Sequence, residues 1–462
     1  MRLLVFKKSA ITILALFLAL VLVACGGSDE STSSGGGSAI NAGESETTDG
    51  ADEITLRITS WDNQFRYRFE EVVELPDGVN VQWIINEFGP IYTNEVIRML
   101  QNDEIDIFAT EIGFTMQFLD TDLVMDVRDL GFTDEHLSNM FEYTLQAATG
   151  NDGIIRGVAW EANPGAFIYR RSIAIEVFGT DDPEVIQGYL QDWAAFNLAA
   201  ERLYDHGHQI VAGPMDPFRT FSNNIANPWV NENDEIIIDP NMMLWVDQSA
   251  EFIERGFSRP GVGLWSGEWS QGVNPSDDQT AVFGYFHAPW GINFVMLGQS
   301  LDVQEENGGV AELGNGTFGD WAAVAGPEGF FWGGKWIHGA SASQHQELIA
   351  DIMHQMTSNE DNLRTFTNEF SDFVNNRNVV AEIANSDFGS GFLGGQNHIA
   401  LLAQAVDTID ISWVGAFDER VISVFGASFA DYFEGMISRE EALDNFFDTV
   451  MIYHPNLRRP SD

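Results

Sequence analysis

The sequence predicts an α/β protein folded as two lobes. Three observations carry that expectation: strand-like alternation and helical periodicity take turns over residues 54–111, the chain outlasts a single hydrophobic core, and an aromatic stretch with two glycines at 330–336 separates two regular blocks. That stretch reads Phe-Phe-Trp-Gly-Gly-Lys-Trp. Its glycines let backbone approach a ligand closely and can absorb the dihedral change of a hinge. Its rings suit a pyranose, which offers C–H faces for stacking and a rim of hydroxyls for hydrogen bonding. An aromatic core strand with a glycine bulge is the plainer alternative.

Taken from the start, the chain opens as a secretion signal. Arg2, Lys7 and Lys8 supply the positive region, residues 10–23 are apolar, and Leu22-Val23-Ala24-Cys25 resembles the bacterial lipobox, cut before a lipidated cysteine. The apolar run is shorter than the roughly 18–20 residues a spanning helix needs. Cys25 is the only cysteine, so it serves neither an intrachain disulfide nor a thiolate metal cluster. The expectation is a signal peptide over 1–24 and a protein lipid-anchored through Cys25 at the outer face of the cell membrane. Residues 25–52 are rich in Gly, Ser, Thr and acids and read as a disordered tether. A formal charge of -48 excludes nucleic-acid binding. Beyond the signal, Lys335 is the sole lysine. Such an acidic surface suits high salt or high pH, which concerns habitat and not activity.

Residues 54–61 alternate apolar and polar side chains and predict a first strand, with Trp61-Asp62-Asn63 at its C-terminal end, where open α/β sheets place ligands. A helical stretch follows, then a strand over 79–85. A helix over 91–101 turns Val96, Met99 and Leu100 inward, and a third strand ends at Thr110-Glu111. Strands alternating with helices predict a parallel sheet. A first strand ending in Trp, a helix, and the Asn-Asp-Glu-Ile-Asp-Ile turn at 102–107 resemble the extracellular solute-binding proteins (family 1) of carbohydrate ABC importers, the group of maltose-binding protein. Further blocks follow in the same order: Val-Met-Asp-Val-Arg-Asp-Leu at 124–130, the Asn-Asp-Gly turn at 151–153, Phe-Ile-Tyr-Arg-Arg at 167–171, the helix opening at Trp193, and Ala-Pro-Trp-Gly at 288–291. Residues 265–279, rich in Trp and Gly, have no evident counterpart.

The resemblance implies a two-lobed periplasmic-binding-protein fold (type II), with a hinge between the lobes and the ligand in the cleft. The first lobe is expected over 53–160 plus 335–375 and the second over 163–332 plus 380–460. Crossings are expected at 158–164, 330–336 and somewhere in 372–380. The implied ligand is a carbohydrate, and the implied partners are permease subunits with a cytoplasmic ATPase, the binding protein itself being a monomer. Trp290 matches a cleft tryptophan of the family. Trp332 with Gly333 and Gly334, and Trp160 with Glu161, fall at crossings; a carboxylate there can accept from two hydroxyls. Trp61 and Asp62 lie at the mouth of the first strand, Glu111 at the mouth of the third. Trp265 and Trp269 are candidate stacking platforms, and Trp413 a ring closing the far end. Core packing, capped turns or solvated charges are the plainer readings of these same residues.

Two other classes are weighed. A lipid-anchored glycoside hydrolase needs two carboxylates flanking the bond, and Glu111 and Glu161 are the residues to cast in that role. A lipoprotein binding a peptide or a metal is the other, since His206-Gly207-His208 offers two imidazoles, though no third ligand is evident. No Ser-His-Asp signature, phosphate loop or dinucleotide fingerprint occurs, so neither an enzyme nor a cofactor is expected.

Overall fold

The computed structural model describes residues 53–460 apart from 87, 88, 277, 278 and 416. The expected signal peptide, the tether and Cys25 lie outside the described residues. The strands are β1 (Ile54–Ser60), β2 (Val79–Ile85), β3 (Ile107–Thr110), β4 (Val158–Ala159), β5 (Ala166–Arg170), β6 (Gly284–His287), β7 (Trp321–Val324) and β8 (Trp336–Gly339). They form two sheets, β2-β1-β3-β8-β4 and β6-β5-β7.

The first sheet begins as the alternation at its start requires. Leu56 and Ile58 on β1 are fully buried, and β1 pairs in parallel with β2 from Ile54↔Val79 to Ser60↔Ile85. Helix α1 (Gln64–Val72) buries Phe65 and Phe69, one turn apart. Helix α2 (Pro90–Gln101) buries Val96, Met99 and Leu100 as the period predicts, and its N-terminal Pro costs no intrahelical bond. β3 joins in parallel and leads into α3 (Ile112–Leu119), whose N-cap is Glu111. A purely parallel sheet is not what forms. β8 runs antiparallel to both β3 and β4. The physical reason is connectivity: βα crossovers impose parallel pairing on the first three strands, whereas β8 enters only after the chain has built the second sheet, with no crossover helix to set its direction.

The second sheet is antiparallel throughout and its core is aromatic. Phe167 lies 4.8 Å from Phe286 and 5.3 Å from Phe196, ring centre to ring centre. Helix Trp193–Asp205 supplies Phe196, Ala199, Ala200 and Leu203 at helical spacing. The terminal helices Asp418–Ser428 and Arg439–Tyr453 pack Phe425 and Phe446 on Trp229, apart from that aromatic core. Glu440 and Glu441 occupy the first turn of the last helix, where the dipole favours them. Among the described residues no helix is long and apolar enough to cross a membrane.

Candidate functional site

Three chain segments lie between the two sheets and pair with one another. The segment after β4 is bridged on one side by Glu161↔Val374 and on the other by Pro164↔Phe331, both antiparallel. Ala162 N donates to Phe373 O (2.8 Å) and Asn375 N to Trp160 O (2.9 Å). Gly165 N donates to Phe330 O (2.7 Å) and Trp332 N to Asn163 O (3.0 Å). This narrow ribbon brings Trp160, Glu161, Asn163, Trp332, Lys335 and Asp372 to one place. Gly333 and Gly334 have φ of 74° and 131°, and a Cβ on Gly334 would meet the Trp336 ring at 2.8 Å. Glycine is required there.

One side of this place is a charged floor. Lys335, 3 % exposed, donates to Asp62 Oδ1 (2.7 Å), Asp62 Oδ2 (2.8 Å) and Gln64 Oε1 (2.6 Å), with its ammonium 4.9 Å from the Trp61 ring centre. Arg68 makes a fully buried two-point pair with Asp372 (2.9 and 2.8 Å) under the ring of Phe370. Burial opposes both cations: the Lys335 ammonium ends below its ordinary range despite Asp62 and Glu161, whereas Asp372 carries the Arg68 guanidinium above its own. Glu161 is 2 % exposed. Burial and then the repulsion of Asp372 push its carboxyl up to about 8, against the pull of Lys335 and Arg68. Asn163 approaches it, yet Glu161 Oε2 and both polar atoms of the Asn163 amide complete no hydrogen bond within the protein. Gln64 Nε2, Trp160 Nε1 and Asn223 Nδ2 are likewise without partners. Buried polar atoms are nearly always paired, and leaving one unpaired costs about 1–3 kcal/mol. Six such atoms sit on or beside the crossing segments.

The other side is an aromatic wall. Trp290 stands in the turn after β6 and donates its indole N–H to Trp332 O (2.9 Å), with its ring edge-on to Trp332 at 5.5 Å. His287 lies near-parallel to Trp332 at 4.9 Å, and burial holds it neutral by pushing its imidazole down to about 4. Trp265 lies near-parallel to Trp332 at 5.7 Å and edge-on to Trp290 at 6.2 Å. The Arg219 guanidinium is 5.6 Å from the centre of the Trp332 ring.

Arg219 also links the wall to Glu111. That residue caps α3, accepting from Gly113 N (3.0 Å), and its side chain faces Glu419 in the first turn of helix Asp418–Ser428. The approach is close: a Cβ on Gly113 would fall 2.5 Å from Glu419 Cβ. Burial, then the Glu419 charge, push Glu111 up to about 8, with Arg219 opposing. Burial also raises Glu419, against Arg219 and Arg420. Two carboxyls far apart in the chain thus both feel the charge of Arg219.

The structure therefore gathers Trp61, Asp62, Trp160 and Glu161 about Lys335, and Trp265, Trp290, Trp332, Gly333 and Gly334 into the wall, with Glu111 joined to it through Arg219. Trp160 is fully buried, stacked on Phe65 at 5.4 Å. Trp269 and Trp413 stand apart. Trp269 is 1 % exposed, packs on Tyr285 and donates to Asp216 Oδ1 (2.8 Å), so its indole faces the interior. Trp413 is also buried, with its N–H on Asp410 O (3.1 Å). Sequence reasoning passed over Arg68, Asn163, Arg219, His287, Asp372 and Glu419 as site residues. Only Lys335, the lone lysine of the globular part, carried a signal that could have drawn attention. His206 and His208 bond separately, to Arg202 O and Glu176, and among the described residues no group of three metal-ligating side chains occurs.

No protein-family model and no curated protein sequence matches this chain. Solved structures do. An extracellular solute-binding protein of family 1 aligns at 16 % identity and a TM-score of 0.66, over 86 % of this chain and 98 % of its own. The ABC-transporter-associated binding protein of B. animalis subsp. lactis, in complex with β-1,6-galactobiose, aligns at 14 % identity and a TM-score of 0.67, over 89 % and 100 %. The GacH receptor of Streptomyces glaucescens, solved unliganded and with acarbose, aligns at 13 % identity and a TM-score of 0.64, over 87 % and 99 %. At these identities the likeness establishes the fold: two α/β lobes of the periplasmic-binding-protein type.

Proposed function

We propose that this chain, which has the two-lobed fold of the extracellular solute-binding proteins, captures a sugar or oligosaccharide between its lobes and delivers it to the permease of an ABC importer. The observation that carries the reading is the seam between the sheets, where unpartnered donors and acceptors border a cluster of tryptophans. A polyhydroxylated ring needs both at once, stacking for its C–H face and mixed donors and acceptors for its rim. The galactobiose and acarbose complexes of structural neighbours support the same ligand class.

In this reading the first lobe comprises 53–160 plus 335–375 and the second 163–332 plus 380–460. The paired crossings form the hinge. A guest touching both lobes makes its full contacts only when they close, so binding shifts the hinge equilibrium toward the closed form, which the permease subunits with their cytoplasmic ATPase recognise. Lipidation of Cys25 would hold a monomer at the outer face of the membrane. Replacing Cys25 by Ser tests this, with release of the protein into the medium expected. The alternative, a glycoside hydrolase casting Glu111 and Glu161 as its two carboxyls, predicts new reducing ends on incubation with oligosaccharides.

The test is a thermal-shift screen of the secreted chain against neutral mono- and oligosaccharides, amino acids, peptides and metal ions. A ligand at a hundred times its Kd stabilises the fold by about 2.7 kcal/mol, a readable rise in Tm. A response confined to one sugar class supports the reading. A flat sugar panel with a response to peptides or metals sinks it.

A further inference from the structure

The loop between helices Pro240–Glu254 and Gly267–Val273 holds a tryptophan in a backbone conformation that bulky residues avoid. Trp265 has φ of 62°, and 50 % of its surface is exposed. Such an outlier persists only where its surroundings over-determine it, and it points to a functional placement. The surroundings are two rings: the near-parallel stack on Trp332 and the edge contact with Trp290. The loop that carries it is permissive, since Gly261 has φ of 71° and the space around Gly263 and Gly267 is open.

Trp332 is in a different position. It is 8 % exposed, its carbonyl is tied to the Trp290 indole, and its near-parallel neighbour His287 is 1 % exposed and belongs to β6. A fixed ring is thus covered by a loop-borne ring with half of its own surface in solvent. The separation settles what can lie between them. Carbon atoms in contact are about 3.5–4.0 Å apart, so a sugar between two indoles needs them about 7–8 Å apart. The observed 5.7 Å leaves no such gap.

We propose that the part of the Trp332 ring covered by Trp265 is a stacking subsite for a pyranose, and that the Trp265 indole is its resident stand-in, displaced when the sugar binds. The inference rests on the sugar reading above and adds to it which ring receives the guest and which one leaves. Trp265 then acts as an internal competitor: every binding event must first break its stack, which weakens affinity for all sugars that use the subsite and screens out those that stack poorly. Trp265 opens the stretch 265–279, for which the sequence offers no evident counterpart in the resembling family.

Isothermal titration of the native protein, Trp265→Gly and Trp265→Phe with the sugar selected by the thermal screen tests the proposal. Glycine adopts positive φ freely, and a cooperative melt of each variant verifies its fold. Removing the stand-in should tighten binding by roughly three- to tenfold, the worth of one aromatic pair, with the Phe variant in between. Iodide quenching of tryptophan fluorescence in the native protein should rise on sugar addition, as the released indole enters solvent. Weaker binding by Trp265→Gly makes Trp265 a wall of the site and overturns the stand-in while leaving the sugar reading intact. Unchanged affinity overturns it as well. If no sugar binds the native chain, the sugar reading falls and the subsite with it.

Discussion

The charged floor and the aromatic wall meet at the same crossing segments yet are built on opposite principles. On the floor almost every cation has its geometry fixed: Lys335 spends its three donors on Asp62 and Gln64, and Arg68 is locked on Asp372. On the wall the rings hold one another mainly by weak faces and edges, and one of them is half in solvent. The difference separates what sets the cleft from what exchanges with a guest. Buried ion pairs penalise any partial breakage by several kcal/mol, so they resist movement, whereas an aromatic pair contributes only about 0.5–1.5 kcal/mol and can be replaced by a ligand ring at little loss.

The largest expected effect breaks the floor. Asp372→Ala strands a buried guanidinium, and urea unfolding should register a loss of about 3–5 kcal/mol. Glu161 stands ready to soften that loss, because without Asp372 its repulsion disappears and Arg68 becomes available to it. The double replacement Arg68→Met/Asp372→Leu should recover most of the stability, since apolar residues of similar volume often replace a buried pair without penalty. A single-mutant loss below about 1 kcal/mol would mean that the floor is no rigid scaffold and that the contrast with the wall fails.

Next comes the wall. Trp290→Ala removes the ring that braces Trp332 and its hydrogen bond to the Trp332 carbonyl. Loss of such an anchor typically weakens binding by about 2 kcal/mol or more, roughly thirtyfold, which a sugar titration reads directly. Stability should suffer less than in Asp372→Ala, because Trp290 is only partly buried. The reverse order would make the wall a structural core and move the guest elsewhere.

How far these two regions were legible in the sequence differs in the same way. Strand alternation and helical spacing revealed β1, β2 and α2, and on α2 the buried Val96, Met99 and Leu100, because those signals are local. The glycine pair flanked by rings marked Gly333 and Gly334 as special, because positive φ and close approach leave a trace in residue type. Arg68 with Asp372, and Glu111 with Glu419, join residues some three hundred positions apart, and no periodicity records such a meeting. Trp265 and Trp269 are four residues apart and looked equivalent, yet one indole is half exposed and the other lies beneath Tyr285. Their fates are decided by the direction in which a loop enters a short helix, which neighbouring residue types do not encode. The antiparallel entry of β8 was hidden for a related reason: strand direction follows connectivity across the whole chain.

A smaller effect concerns protons. Glu161 titrates near 8 in the fold and in the ordinary carboxylate range when unfolded. The folded chain therefore binds the extra proton between those values, and the stability that the protonated carboxyl supplies is complete in acid and lost as pH rises through about 8. Glu161→Gln has no charge to bury, so its Tm should fall less between about pH 7 and pH 8, by an amount of about 1 kcal/mol in stability. Parallel curves for the two proteins would show that Glu161 is ionised throughout and paired with Lys335 or Arg68, sharpening the floor into a closed five-charge network with Asp62 and Asp372.

The smallest effect tests where the wall ends. Trp413 is buried like Trp332, and composition alone gives it the same standing as a sugar platform. Its contacts differ: the indole N–H is spent on Asp410 O three residues back, and its ring packs in a different hydrophobic cluster from that of Trp332 and Trp290. Trp413→Phe keeps a ring and drops one hydrogen bond, so unfolding should register a loss of about 0.5–1.5 kcal/mol while sugar affinity changes less than about twofold. A larger change in affinity would carry the wall across to the terminal helices and make the cleft long enough for several sugar units. An unchanged affinity confines stacking to the rings that Trp332 touches, and with it the length of sugar the wall can grip.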